Sequence, residues 1–496
     1  MSVAIVLGGA GTRGDFQIGA VRFLADRGIQ PNIVTGASGG AVVSAKLAEG
    51  SSGLDDLETT WLSLVNDAEL YTWEQWLLDL QREVRESLRL VSEKLERFVF
   101  FPPLVVVDLI GFGLDIHQIE DAAERGLKAK SLLSFSPLAA RLRNTGSGRL
   151  DTQKVRNSGI KLRISVVSLE DAKLRYATEL GELINESDRS VAASQIDLVD
   201  AVIASAAIPV VVAPVKLDGQ NYVDGGVREL VPVKVAVDLG ADDVFIIYPV
   251  PGAVFDPDNP TYDSANLATI GSRSIDIGLD EIRRNDVNPR GEWGNVAVTT
   301  IQGSFEVHGS LTIDPGLIRI SIGYGYMRAS DIIDGSPRGE QRVNELKGLS
   351  DQITRLRMEC WDLEYRANGV DKPPELTLAG PRPRETVPLP DPTSIREVRR
   401  KKREIRELVQ RRLNLNGAVP NGVEEWWREW ERHPWPTYTA TPWDEFSSRA
   451  GYVPAEPAPA NVVGKAPVPI ASIAPLLLED KAPVPVASIA LLLLGD

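Results

Sequence analysis

Three short stretches carry residue types that could do chemistry together. Gly36, Ala37, Ser38, Gly39 and Gly40 fit G-x-S-x-G. That is the sharp strand-to-helix turn that exposes a serine hydroxyl as a nucleophile, with small neighbours so the backbone can turn tightly. Gly9, Ala10, Gly11, Thr12, Arg13 and Gly14 fit G-x-G-x-x-G. A loop of this kind, its N–H groups turned into one cavity, either cradles a dinucleotide pyrophosphate or holds the oxyanion of an acyl-transfer reaction. Asp224, followed by Gly225 and Gly226 in NYVDGG, is a carboxylate at the end of an apolar run. It is either a base held at a strand end or a plain turn residue.

The elements that must position these stretches separate the alternatives. Val3 to Leu7 reads as a short buried strand, and Ile33 to Thr35 as a second one. Between them Phe16, Ile18, Val21 and Leu24 form the apolar positions of a helix closed by Gly28, and AVVSAKLAEG continues as another helix. Two parallel strands joined by a short helix predict an α/β sheet covered on both faces. A dinucleotide site in such a unit needs an acidic residue about 20 residues past the glycines, at the end of the second strand. Here that strand runs into Thr35, Gly36, Ala37 and Ser38, with no carboxylate. Both loops leave the carboxyl ends of neighbouring strands, which lets the glycine-loop N–H groups face Ser38 as an oxyanion hole requires. A nucleotide-binding oxidoreductase accounts for GAGTRG alone, and a catalytically silent scaffold that uses its Trp-rich tail for partners is the other rival reading.

A serine nucleophile needs a base, and histidine is the usual one. The chain has three histidines: His117 in a helical stretch, His308 in a Gly-flanked loop and His433 beside Trp and Pro residues. None sits just after a strand of the sheet body, and each reads as a surface or structural residue. Asp224 is the better candidate.

Composition bounds the rest. A chain of 496 residues exceeds one ordinary domain, so a catalytic body with appendages is expected. A net charge of −15 argues against a general nucleic-acid binder, because attraction to phosphate needs a basic surface. The single cysteine, Cys360, allows neither an intrachain disulfide nor a Cys-based zinc site, and fits a reducing compartment. The first apolar run has no charged region before it and passes straight into the glycine loop, so it is read as a strand and not a signal peptide. FVFFPPLVVVDLIGFGL, interrupted by Pro102, Pro103 and Asp108, reads as a buried or interfacial segment and not a membrane span.

Residues 1–330 are expected to form the sheet body, with further strand signals in KLRISVVSLE, NYVDGG and ADDVFIIYPV. Within it 54–140 reads as a helical insertion. Its stripe of Trp73, Trp76, Leu77, Leu80, Val84, Leu88, Val91 and Leu95 is taken as a cap packed on the sheet, with membrane docking as the alternative. Residues 331–370 read as a peripheral helix with Val343, Leu346, Leu349, Ile353 and Leu356 on its apolar face. Residues 371–496 read as a tail: a Pro-rich linker, a basic helix over 395–413, a Trp-rich stretch and a two-copy terminal repeat. The tail is expected to be dispensable for the fold and to hold the chain at an anionic membrane.

The ordered set GAGTRG, GASGG and DGG, with QIGAVRFL, SAAIPVVVAPVKLDGQNYVDGG and VPVKVAVDLGAD around it, resembles the patatin-like phospholipase family over about residues 3 to 330. The resemblance implies a three-layer α/β fold with a mainly parallel central sheet. It implies hydrolysis of lipid acyl esters with no metal and no organic cofactor. It gives Ser38 the role of nucleophile, Asp224 that of base, and the backbone of Gly9 to Gly14 that of oxyanion loop. The expected partner is a lipid acyl ester, with no nucleic acid, in a cytoplasmic protein that can touch a membrane peripherally. Ala10 departs from the three consecutive glycines of many relatives, but occupies a free x of the motif and is expected to be tolerated. Arg13 matches the family's basic residue, expected to anchor the loop or to meet a lipid phosphate.

Overall fold

A computed structural model describes residues 2–75, 130–209, 211–249, 267–287, 293–367 and 392–431. In chain order the strands are β1 (Val3–Leu7), β2 (Ile33–Gly36), β3 (Thr72–Trp73), β4 (Leu133–Ser134), β5 (Lys161–Ser168), β6 (Leu174–Thr178), β7 (Leu183–Ile184), β8 (Val215–Leu217), β9 (Gln220–Asp224), β10 (Asp243–Tyr248) and β11 (Ala297–Gln302). The helices of the first half are α1 (Gly14–Asp26), α2 (Gly39–Leu47), α3 (Ser51–Ser63), α4 (Ser136–Arg143), α5 (Thr152–Asn157), α6 (Leu198–Ser205) and α7 (Val233–Asp238). Those of the second half are α8 (Leu267–Val287), α9 (Pro315–Ile333), α10 (Glu340–Ala367), α11 (Pro392–Asn414) and α12 (Glu425–Arg428).

Nine strands form one sheet in the order β11-β10-β1-β2-β5-β6-β7, with β9 added to β5 and β8 to β9. From β11 to β5 all neighbours are parallel; β6, β7, β8 and β9 pair antiparallel. The parallel strands read as near-continuous apolar runs because helices cover both faces. Ile5, Leu7, Phe245 and Ile247 point into the large core built with α1, α2 and α9. Ala4, Val6, Val244 and Ile246, the alternate residues of the same strands, pack with Val233 and Ala236 of α7 on the other face. The result is the expected α/β architecture of helix, sheet and helix layers.

The insertion departs from a purely helical segment. Thr72–Trp73 and Leu133–Ser134 pair antiparallel, and α4 follows. Trp73 packs on the main core, whereas the stripe from Trp76 to Leu95 lies outside the described residues.

The C-terminal expectations need correction. The helix expected to be peripheral, α10, buries Leu346, Leu349, Ile353 and Cys360 and lies between α9 and α11. The basic helix α11 is not a solvated tail. Val398, Ile405, Leu408 and Val409 form an apolar stripe buried with Trp426 and Trp430, and the positive charges on the same side meet buried carboxylates. The Arg412 Nη1 group, fully buried, donates to Asp331 Oδ1 at 2.5 Å and to Ser350 Oγ at 2.8 Å. Lys402, also fully buried, lies 3.2 Å from Glu431 and 3.7 Å from Glu364. The dense positive charge of this helix hides its apolar stripe in the sequence. The Pro-rich linker and the terminal repeat lie outside the described residues.

Candidate active site

Strand β5 brings two distant parts of the chain together. On one edge it pairs first with β2, Gly36 opposite Ile164, and then with β9, Asp224 opposite Val166. The carboxyl ends of β2 and β9 therefore meet head-on, two residues apart along β5, which is about 7 Å. Gly36 and Ala37 are buried at this junction, and Ser38 turns out of it into α2.

Ser38 adopts φ 54°, ψ −131°, a conformation that costs a non-glycine residue roughly 1–3 kcal/mol and persists only when its surroundings enforce it. Two contacts do so. The Ser38 N–H donates to Ser205 Oγ at 3.1 Å. Gly39 abuts the glycine loop so closely that a Cβ there would lie 2.1 Å from the Gly11 carbonyl oxygen. Gly40, buried in the first turn of α2, completes the elbow.

Asp224 is 4% exposed and Ser38 6%. The Ser38 side chain lies close enough to Asp224 to favour the charged form of its carboxyl. Asp224 Oδ1 also accepts the Gly226 N–H at 2.7 Å, and the Asp224 N–H donates to the Ala207 carbonyl at 2.9 Å. The end of α6 and its following turn thus hold both partners, Ser38 through Ser205 and Asp224 through Ala207. Burial pushes the Asp224 carboxyl up to about 6, against Ser38 and the Gly226 bond, which favour its charged form. Gly225, next to Ser165 on β5, and Gly226 form a buried turn behind it.

The glycine loop lies against this pair. A Cβ at Gly9 would stand 3.5 Å from that of Ser38. Three of the loop's N–H groups are committed. Gly9 donates to Leu230 O (2.9 Å), Thr12 to Ser310 O (2.8 Å) and Arg13 to Ala10 O (3.2 Å). The Ala10 and Gly11 N–H groups have no acceptor among the described residues. Ala10 sits at φ −132°, a conformation alanine adopts freely, and the positive φ of the loop falls on Gly11 at +60°. Arg13 Nη1 lies 2.5 Å from Glu306, and its Nε donates to Ala10 O at 3.1 Å, so its guanidinium ties the loop down. Gly14 then opens α1. Below, Asp286 accepts the N–H groups of Leu230 and Val231 at 2.7 and 2.9 Å, which fixes the carbonyl that holds Gly9.

His117 and His433 lie outside the described residues. His308 is buried, with Nε2 2.7 Å from Asp15 Oδ2 and Nδ1 3.0 Å from its neighbour's carbonyl, Gly309 O; it is not bonded to Ser38. Ser321 Oγ donates to the other oxygen of Asp15 at 2.7 Å. Neither Asp15 nor Ser205 stands out by residue type or spacing. Only a carboxylate directly after GAGTRG, in the first turn of a helix, hints at a partner. Among the described residues no group of three or more His, Cys, Asp or Glu side chains is arranged to hold a metal ion. Among them, too, no helix is long and apolar enough to cross a membrane.

No curated protein matches the chain. VipD from Legionella pneumophila is 15% identical, with 87% of this chain and 91% of that one covered and a TM-score of 0.32. The type III effector protein ExoU is 14% identical over 86% of this chain and 73% of that one, at a TM-score of 0.24. ExoU from Pseudomonas aeruginosa in complex with SpcU gives 14%, 86%, 72% and 0.19. The family model described as Patatin-like phospholipase matches residues 5–237, a span that holds the glycine loop, the Ser38 elbow and Asp224. Residues 5–237 of this chain belong to the patatin-like phospholipase family.

Proposed function

We propose that the protein is a lipid acyl-ester hydrolase, phospholipase- or lysophospholipase-like, that works through an acyl-Ser38 intermediate with Asp224 as its base. The observation that carries this reading is the buried Ser38 beside the buried Asp224 carboxyl, next to two N–H groups, of Ala10 and Gly11, that have no acceptor among the described residues. Ser38 Oγ attacks the acyl carbonyl carbon as its proton passes to the Asp224 carboxylate. The negative charge that develops on the carbonyl oxygen is met by the Ala10 and Gly11 N–H groups. Collapse of this intermediate expels the alcohol, which takes the proton back from Asp224. A water molecule, deprotonated by the same carboxylate, then attacks the acyl-Ser38 carbonyl; as this second intermediate collapses, Ser38 Oγ leaves and takes the proton back from Asp224, and the fatty acid is released. A base titrating at about 6 is ionised at neutral pH yet basic enough to receive a proton in flight, so no histidine relay is needed.

The substrate of such an enzyme lies at a membrane surface. The exposed arginines Arg396, Arg406 and Arg411 on α11 supply positive charge for peripheral contact with anionic lipid. Ser38→Ala tests the reading. The variant is expected to fold and to lose both hydrolysis of a short-chain ester and labelling by a fluorophosphonate. Undiminished labelling would remove Ser38 from the mechanism, and a wild-type protein with no turnover would favour a silent scaffold. Mass spectrometry of products from mixed phospholipids identifies the acyl chain and head group.

A further inference from the structure

The glycine loop is held from outside by a segment beyond the family match, residues 303–314, between β11 and α9. The Ser310 carbonyl accepts the Thr12 N–H at 2.8 Å, and the Thr312 carbonyl accepts the Thr12 hydroxyl at 3.0 Å. Glu306 pairs with Arg13 at 2.5 Å, and Gly11 presses so closely on Ser310 that a Cβ would lie 2.4 Å from its carbonyl oxygen. At the far end of the loop His308 closes on Asp15, the residue directly after Gly14.

We propose that residues 303–314 clamp the oxyanion loop, and that His308 is the positioning residue of the clamp, so that turnover depends on the charge of His308. This rests on the reading of Ala10 and Gly11 as oxyanion donors. The groups that face His308 are Asp15 from α1, with Ser321 of α9 bonded to the same carboxylate, the Gly309 carbonyl of its own loop, and the like charge of Arg13. Both ring nitrogens face acceptors. An imidazolium donates to both, whereas a neutral ring must turn a lone pair toward either the Asp15 carboxylate or the Gly309 carbonyl. Burial opposes the charge, but Asp15 outweighs it, and His308 titrates above its ordinary 6.5. The grip is therefore complete below that value and is lost as pH rises through the folded one. Asp224 then sets the acid limb of the pH–rate profile, and His308 the alkaline limb.

The test compares wild type with His308→Gln, which keeps one donor for Asp15, and with Glu306→Gln, on a partly exposed residue. Readouts are kcat and KM on a soluble ester across pH, and backbone hydrogen exchange of residues 8–14. His308→Gln is expected to lose the alkaline limb, to lower kcat about tenfold with KM little changed, and to speed exchange in residues 8–14. Glu306→Gln is expected to shift kcat and exchange in the same direction by less. An alkaline limb and a loop exchange that match wild type in His308→Gln overturn the proposal. Should His308→Gln not fold, wild-type exchange decides: protection of residues 8–14 that is no weaker above the His308 titration than below it, after correction for intrinsic rates, overturns it. A wild-type protein without turnover defeats the hydrolase reading alone, because exchange still reports on the clamp.

Discussion

Asp224→Asn is expected to abolish turnover and, at neutral pH and above, to make the protein more stable. Burial holds the Asp224 carboxyl at about 6 in the folded chain, against an ordinary 3.8. The native state thus keeps its proton longer than the unfolded state does, so this residue's contribution to stability falls as pH rises from about 4 to about 6 and stays low above that. Two units of displacement correspond to about 3 kcal/mol. An asparagine keeps the shape and still accepts the Gly226 N–H, but desolvates no charge. Its advantage over wild type in urea unfolding is expected to be about 1 kcal/mol at pH 4.5 and about 3 kcal/mol at pH 7.5. Glu229, pushed up to about 8 by burial, and Asp286, up to about 6, titrate in both proteins, so the difference between the two isolates Asp224. In parallel, wild-type kcat/KM is expected to rise with pH through about 6. An advantage that does not grow with pH, or a variant less stable than wild type at pH 7.5, would refute the picture of a desolvated carboxylate beside Ser38.

Two further perturbations probe the neighbouring contacts. Gly39→Ala forces a methyl group toward the Gly11 carbonyl, 2.1 Å away, and is expected to lower kcat about 100-fold by displacing an oxyanion donor while costing about 1–3 kcal/mol of stability; steady-state kinetics on a soluble ester with near wild-type kcat would rule that contact out. Arg412→Met leaves Asp331 buried without its closest cation and is expected to cost about 3–5 kcal/mol in urea unfolding, part of which Asp331→Asn should restore in the double variant. A chain ended near residue 370 meets the same loss and exposes Leu349, Ile353 and Cys360, so it should be insoluble; a soluble, active truncation would show α11 to be dispensable.

The parts legible in the sequence are those in which local pattern and local structure coincide. GAGTRG, GASGG and the DGG turn each sit at the end of an apolar strand, and the glycines of each answer a tight backbone angle or a close approach of another segment at that turn. What was not legible depends on pairs far apart in the chain. His308 and Asp15 are joined across nearly the whole sheet body, and neither has a periodic or motif context that names the other. The basic helix misled for a different reason. Helical charge counting cannot tell a lysine facing water from Lys402 facing Glu431, because the carboxylate that buries it belongs to another element. Ala10, a departure at the level of motif, proves unremarkable once the backbone shows that Gly11 carries the positive φ.

The way β5 joins the ends of β2 and β9 bears on which length changes this chain can accept. The elbow and the aspartate are spaced by residues Ile164 to Val166, and not by the long stretch of chain between Ser38 and Asp224. Insertions or deletions in the connections from Leu169 to Gly219 leave that spacing alone, provided β9 still docks in register and the turn that carries Ser205 and Ala207 keeps its place. One residue added between Ile164 and Val166 moves Asp224 by about 3.3 Å and turns its side chain to the opposite face of the sheet. Length variation among related chains should therefore gather in the loops and avoid this three-residue span of β5.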